Sequence, residues 1–425
     1  MHSTIQWAAS VAAAILAALA CRGPSGSAAA RRPDTVSRED AAPEETARQA
    51  ADAEASARRD AGEADEATFE AEAEASTPPA RERGDGFRSF RAGRYRTGRA
   101  NGHAPRAPVL LWEHPGGGEI RAQPVVAPDG TVGVAALGGT IAGVRPDGTR
   151  KWSFEPGDRI YSTSFVDDEG TIYFGADTDI LYALEPDGRT KWTIHPAEDT
   201  EKPELHDVDT APILRGGVGF VGAGLYLYAF DRRGTVRWRT ATGNKVFSSP
   251  ALLPDGTIVA GSQDDKLWAL RPAGAVRWTY QMAADVDGSP AIDELLENIY
   301  VGADDGRVHA VSFDGKRRWT VDAGGFVRGG IAVDARGRVY VTTFGPTARL
   351  LALDPEGGWV RWTVDAGSGP TAEFGIRSSP VVDPDGVVLF GAPGGFVRAV
   401  SPDGAELWTF RAPADVDAGP ILADA

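Results

Sequence analysis

A single cysteine, Cys21, stands in 425 residues, which excludes any disulfide within the chain. Basic residues are also short: 44 Lys and Arg against 60 Asp and Glu leave a formal charge of −16. That balance argues against nucleic acid, whose phosphates need a basic footprint, and leaves cations, basic peptides and neutral ligands open. No Gly-x-Ser-x-Gly elbow, His-Glu-x-x-His motif or phosphate loop occurs, so the familiar hydrolase, metalloprotease and nucleotide chemistries have no sequence support. Large apolar residues are nearly missing from 23–85, where Phe69 is almost alone. That stretch is rich in Ala, Ser, Pro and Glu, with acidic runs at Glu44, Glu45 and from Glu63 to Glu74. It cannot bury enough surface to offset its chain entropy, so residues 22–85 read as an acidic tether with transient helix at most.

Residues 5–20 are apolar or small with few exceptions and run into Ala18-Leu19-Ala20-Cys21. The run is too short for a comfortable transmembrane helix and reads as a secretory signal over residues 1–21. The segment resembles a bacterial lipoprotein signal, which implies lipidation of Cys21 after cleavage. It departs from that pattern in having Ala18 at the third position before the cysteine and no Lys or Arg near the start. Arg22, rather than Asp, follows the cysteine, and the resemblance then implies the outer membrane.

What is abundant is a beat of tryptophan. Trp112, Trp152, Trp192, Trp238, Trp278, Trp319, Trp362 and Trp408 are spaced by 40, 40, 46, 40, 41, 43 and 46 residues. Strand-like sequence fills each interval, the mark of a radial or stacked repeat. In one unit the apolar runs 163–166, 171–176, 180–185 and 190–194 are separated by Glu-Gly and Asp-Gly turns, as an antiparallel meander requires. Such a sheet has two apolar faces and needs neighbours on both sides. A tighter signature, Ala-x4-Gly-x3-Trp, recurs as Ala183, Gly188, Trp192; Ala229, Gly234, Trp238; Ala269, Gly274, Trp278; Ala310, Gly315, Trp319; and Ala399, Gly404, Trp408. The first unit has Gly143 in place of Ala, and the sixth carries an extra residue, assigned between Gly357 and Trp362.

These residues resemble the tryptophan-docking repeat of pyrroloquinoline-quinone-type β-propellers. The resemblance implies that each outer-strand indole lies between blades against a small Ala and a Gly, making the eight tryptophans structural. Residues 86–425 are therefore expected to form an all-β propeller. Seven complete four-stranded blades can be counted, with an eighth closing blade shared by the two termini; residues 87–91 are a candidate contribution to it. Seven blades with overhanging ends is the alternative.

Eight inner-strand openings align, from Glu119-Ile-Arg121 to Asp415-Val-Asp417. Their first and third residues share one face of a strand and would ring one mouth of the axial channel. The third positions read Arg121, Tyr161, Asp209, Phe247, Asp287, Arg328, Arg377 and Asp417, a mixture suited to a polar ligand or to mutual charge pairing. The pairs Asp207/Asp209, Asp285/Asp287 and Asp415/Asp417 are candidate oxygen ligands for Ca²⁺. The segment from His195 to Asp207, with His206 and four acidic residues before Asp207, is an inserted loop, and 367–374 is a second one at the rim.

Quinoprotein dehydrogenases share the repeat, but many carry a vicinal disulfide that this chain cannot form, and their calcium ligands have no evident counterpart here. The functional expectation is a non-catalytic, lipid-tethered module of the bacterial envelope, similar in plan to the propeller lipoprotein that scaffolds outer-membrane assembly. It would be monomeric, would reach the membrane only through its lipid, and would bind an envelope protein or a small polar ligand. No cofactor is expected unless Ca²⁺ binds. The alternative is a redox enzyme or sensor dependent on pyrroloquinoline quinone or Ca²⁺.

Overall fold

Alternating apolar residues between glycine turns fold into seven four-stranded antiparallel sheets, each with its strands in chain order. A computed structural model describes residues 15–16, 87–196, 207–369, 375–412 and 416–423. The blades span residues 125–154, 165–194, 213–241, 251–281, 291–322, 331–368 and 381–411 and are called blades 1 to 7. Among the described residues there is no helix. The tether, Cys21 and nearly all of the signal segment lie outside the described residues; only the backbone of Ile15–Leu16 is placed, paired with Leu422–Ala423.

The burial gradient explains why the blades pack as a ring. In blade 3 the second strand, Val218–Ala223, is buried throughout, whereas the outer strand, Val236–Ala241, is mostly exposed. The inner strands are covered on both faces by neighbouring blades. One core cluster joins Ala251, Val259 and Leu267 of blade 4 to Ile292, Ile299 and Val301 of blade 5. A bulge follows the small residue of the signature in every blade, as between Ala229 and Phe230 or Ala269 and Leu270. An extra residue at that point sharpens the local twist of the outer strand, beside the tryptophan that docks on the next blade.

The docking has two halves. The Ala lies directly across the same sheet from its tryptophan, as in the pairs Ala229–Trp238 and Ala310–Trp319. The Gly comes from the following blade: a Cβ on Gly274 would sit 2.7 Å from the Trp238 ring, and one on Gly315 2.7 Å from Trp278. Those glycines also have φ near +85°, which disfavours any other residue. The indole N–H then donates to a carbonyl of the same turn, Trp238 to Pro272 at 2.8 Å and Trp362 to Pro402 at 2.9 Å. Gly143 replaces Ala because the Trp152 ring approaches within 2.4 Å of where a Cβ would stand. In blade 6 the docking glycine is Gly358, against Trp319, so the extra residue lies before it and not between glycine and tryptophan.

Among the described residues there are seven four-stranded sheets and no eighth; the expected closing blade is represented there only by the two-stranded pairing of Ile15–Leu16 with Leu422–Ala423. Trp112 still docks as the others do, against Gly148 and with its N–H on Pro146 O at 2.9 Å. The closing segment 416–423 packs Ile421 and Leu422 against Val381, Leu389 and Ala399 of blade 7. Sequence for two middle strands is what the sector lacks among the described residues. The second long insertion is also corrected in part. Gly367 and Ser368 extend the outer strand of blade 6, paired with Ala348 and Thr347, and 370–374 lie outside the described residues.

Candidate site at the channel mouth and axis

The alternation read from the eight openings holds in three dimensions. Their central residues, Ile120, Ile160, Val208, Val246, Val286, Val327, Ile376 and Val416, are all buried. Several of these wedge against a glycine of the preceding blade: Val208 against Gly175, Val286 against Gly261 and Val327 against Gly302. The residues on either side therefore turn toward the mouth.

The third-position side chains reach the strand ends of the preceding blade. Arg328 grips Asp304 with Nε at 2.8 Å and Nη2 at 2.5 Å. Asp287 accepts from Gln263 Nε2 at 3.2 Å. Arg377 lies 4.7 Å from the centroid of Phe344 and 3.9 Å from Asp417. Tyr161 has the guanidinium groups of Arg121 and Arg159 at 5.7 and 5.8 Å from its ring, and Phe247 has Lys245 at 5.8 Å. Arg121 also binds Glu119 at 2.6 Å. The charges of the mouth are thus largely tied to one another.

One of these contacts is mismatched. Where neighbours set Arg or Gln against Asp, Asp209 meets Asp177, and one oxygen of each is buried without a hydrogen-bond partner. Burial, then the charges of Asp177 and Asp207, pushes the Asp209 carboxyl up to about 8. Burial also raises Asp177, against the opposing pull of Arg159 at 2.9 Å. Asp287 rises to about 6 through burial and Asp304. The two carboxylates of an Asp-Val-Asp pair take separate partners: Asp207 is 3.3 Å from Lys245 Nζ, while Asp209 faces Asp177. Asp285 is raised by burial and by Asp265 and Asp304. Asp415 and the loop from 197 to 206, with His206, lie outside the described residues.

A carboxyl that stands higher in the folded protein than in the unfolded chain holds its proton more tightly when folded. Its contribution is present below the ordinary carboxylate range and is lost as pH climbs toward about 8. The melting temperature is therefore expected to fall across that interval. Asp209→Asn, which keeps one donor between the two groups, should flatten the slope. Melting curves at stepped pH check this; an unchanged slope would mean that Asp209 and Asp177 do not share a proton.

Among the described residues only His103, Asp383 and Asp385 bring three metal-capable atoms within 4.8 Å of one another. They sit away from the mouth, and their geometry is explained locally. His103 Nδ1 is 2.9 Å from Asp385, and Asp383 accepts the backbone N–H groups of Ala104, Asp385 and Val387.

The opposite end of the axis holds a feature missed in the sequence. Residues 87–100 do not build a blade; they coil through the ring and bond to its inner strands in turn. Backbone carbonyls of Phe87, Arg88, Arg94, Tyr95, Thr97 and Gly98 accept from Val126, Val166, Leu252, Ile292, Val333 and Val382, which belong to blades 1, 2, 4, 5, 6 and 7. Blade 3 is reached by a side chain: Arg96 donates to Ala211 O at 2.9 Å and Pro212 O at 3.2 Å, and also to Pro250 O and Phe90 O. Positive φ at Phe87, Arg91, Ala92 and Arg96 gives the coil its tight curvature. The available signal was five arginines in residues 87–100 of an acidic chain, at Arg88, Arg91, Arg94, Arg96 and Arg99.

Between mouth and plug the fifth positions form a belt of hydroxyls. Thr163, Ser249, Ser289 and Ser379 each accept the backbone N–H of the fifth position in the preceding blade, from Gln123, Ala211, Ser249 and Gly330. The axis thus runs from a charged mouth, past buried hydroxyls, to an end closed by residues 87–100.

The repeat and the ring agree with comparisons to known proteins. Residues 223–323 and 296–415 match a family model described as outer membrane protein assembly factor BamB. No curated protein matches the chain. Among solved structures, BamB from Moraxella catarrhalis is 17% identical, with a TM-score of 0.59 over 70% of this chain and 90% of that one. A quinohemoprotein alcohol dehydrogenase from Comamonas testosteroni is 16% identical, with a TM-score of 0.68 over 83% and 78%. A europium-containing methanol dehydrogenase is 14% identical, with a TM-score of 0.68 over 80% and 88%. At those identities the structures show the shared fold alone.

Proposed function

The chain is a BamB-like propeller of the pyrroloquinoline-quinone repeat type, and from that premise we propose that it is a non-catalytic binding module of the bacterial cell envelope. The observation that carries this reading is the state of the axis. One end is filled by residues 87–100, and at the other Arg328 and Arg377 are already paired with acids across blades. A rim of that kind offers a preformed, rigid pattern of charge and aromatic rings for recognition, on blades whose cores do not need to move. The partner is an envelope protein or a small polar ligand, met by the mouth ring of Arg121, Tyr161, Phe247, Arg328 and Arg377. Lipidation of Cys21 and an outer-membrane address are part of the same reading, supported by the apolar run that ends in that cysteine.

The test is affinity capture from envelope extract with the full chain and with Arg328→Ala/Arg377→Ala. A partner recovered by the first and reduced at least about tenfold by the second is the expected result, since a lost charged contact is worth about 1.4 kcal/mol or more. Equal recovery by both proteins would remove the mouth from the reading. Metabolic labelling with a radioactive fatty acid, lost in Cys21→Ser, checks the anchor separately.

The second reading is a sensor or redox protein dependent on Ca²⁺ or quinone. The facing carboxyls of Asp177 and Asp209 favour it, because a cation between them would relieve their repulsion. It requires a rise in melting temperature with millimolar Ca²⁺, or an absorbance change with pyrroloquinoline quinone and Ca²⁺ together. Absence of both ends it.

A further inference from the structure

We infer that the seam between blades 4 and 5 carries a proton-operated latch: when His309 gains a proton, its hydrogen bond to Tyr280 reverses direction and the Tyr280 hydroxyl turns to Thr320. The inference stands apart from the function proposed above.

His309 lies on the third strand of blade 5, Arg307–Ser312, and Tyr280 on the outer strand of blade 4, Val276–Gln281. His309 Nε2 is 3.1 Å from Asp305 Oδ2, and both side chains are only 7% exposed. On the other side of the ring His309 Nδ1 is 3.3 Å from Tyr280 Oη, with the two rings edge to face at 5.8 Å. Thr320 stands directly across the sheet from His309, on the outer strand of blade 5. Its hydroxyl is buried, makes no hydrogen bond among the described residues and lies beside the Tyr280 hydroxyl.

The repeat explains how the imidazole is held. In other blades too, the residue four places earlier, in the turn at the mouth end, supplies a partner. Trp268 Nε1 donates to Asp264 at 3.1 Å, and Thr178 is 3.1 Å from the Tyr182 hydroxyl. A carboxylate oxygen accepts and does not donate, so the same arrangement puts a proton on His309 Nε2. The neutral ring then offers the lone pair of Nδ1 to the Tyr280 O–H. At the seam between blades 1 and 2 the positions of Tyr280 and His309 hold Phe154 and Tyr182, with ring centroids 5.5 Å apart. That pair has no proton to exchange, since Phe154 carries no hydroxyl.

A second proton enters at Nδ1. That nitrogen then donates to Tyr280 Oη, and the phenol O–H, displaced from the ring, turns to Thr320 Oγ1. Every group keeps a partner and Thr320 gains one. Burial holds the Tyr280 phenol above its ordinary value, so it stays a donor throughout. Burial also opposes the second proton on His309 more than any charge does. Asp305 favours that proton, Arg307 and Arg317 oppose it, and His309 is held below the ordinary histidine range. A histidine lowered in this way binds its proton less tightly in the folded chain than in the unfolded one. Its effect is absent above the unfolded value, and stability declines as pH falls from there toward the folded one. Asp305 is next to Asp304, which holds Arg328 at the mouth, so the added charge also offsets an acid on that side of the rim.

The experiment uses the full chain with isotope-labelled histidine, the His309 resonances being assigned by their loss in His309→Gln. At neutral pH the wild type should show the Nε2–H form of His309. On acidification His309 should titrate below its midpoint in the urea-unfolded chain. Thr320→Val, which keeps the shape of the side chain but removes the acceptor, should lower that midpoint further, and Tyr280→Phe should lower it more. The melting temperature of the wild type should fall relative to His309→Gln by about 1–3 °C from about pH 7.5 to about pH 5. An Nδ1–H form at neutral pH, a midpoint at or above that of the unfolded chain, or a midpoint that Thr320→Val leaves unchanged would overturn the inference. The tautomer and titration of the wild type decide the matter if a variant does not fold.

Discussion

Trp319→Ala is expected to destabilise the propeller by about 3–5 kcal/mol, the range for deleting a large buried aromatic side chain. Trp319 is 7% exposed and belongs to the core cluster shared by blades 5 and 6. Its ring lies on Gly358 of the next blade and 5.6 Å from Tyr300, and its N–H donates to Pro355 O at 2.8 Å. Removing it therefore costs packing on two blades and orphans a carbonyl at their junction. Blades in a ring depend on both neighbours, so the loss should appear as a lower midpoint of the whole transition rather than as local fraying. Trp359, three residues before Trp362 but off the beat, is 57% exposed, and Trp359→Ala should change stability by no more than about 0.5 kcal/mol. Denaturant unfolding with the slope compared between variants separates the two cases. Equal effects would mean that the docked indoles do not hold the blades together.

The second large effect is expected at the axis. Arg96→Ala removes the donor to Pro250 O, Ala211 O, Pro212 O and Phe90 O. Each bond is charge-assisted, and a buried carbonyl left without a donor costs about 1–3 kcal/mol before water enters. Allowing for that entry, the variant should lose about 3–5 kcal/mol, with blade 3 losing the bonds that tie it to the axial coil. Arg96→Lys should recover little of it, because one ammonium cannot span carbonyls on two blades and the coil as a planar fork does. Trypsin supplies a second readout: cleavage within residues 87–100 should be slow in the wild type and fast in Arg96→Ala. A coil equally resistant in both would show that its backbone bonds to the other six blades suffice.

Much of the blade was legible from one sequence. The tryptophan spacing, the small residue across from each indole and the Asp-Gly turns all act within about forty residues, so each unit states its own meander. The buried Val or Ile of each opening could be read too, because alternation along a strand is a local property. The slip in blade 6 has a local cause as well. Gly357 and Gly358 are adjacent, and the choice between them depends on which one has the Trp319 ring against it. The eighth blade, which has no four-stranded sheet among the described residues, is a different case. Trp112 docks as an outer-strand tryptophan should, yet a blade also needs two middle strands, and no periodic signal can supply those.

The candidate site was legible as a list and not as a set of contacts. Strand alternation sets Asp209 beside Asp207, its neighbour in sequence, whereas the fold sets it against Asp177 on another blade. Residues 87–91 read as a candidate contribution to the closing blade, whereas in the fold residues 87–100, with Arg91 and Arg96, coil along the axis.

Sequence alone determined the repeating unit, the residues that wedge between units and the face each strand turns to the axis, because hydrogen-bonded turns and strand alternation are settled over a few residues. Only the tertiary structure decided what fills the axis, which charges meet across blades and how the ring ends. Those depend on bringing together groups as distant as Arg91 and Ser289, or Trp408 and Pro105. Nothing in the chain between such partners records the approach, since it exists only once seven separate sheets have packed into one ring.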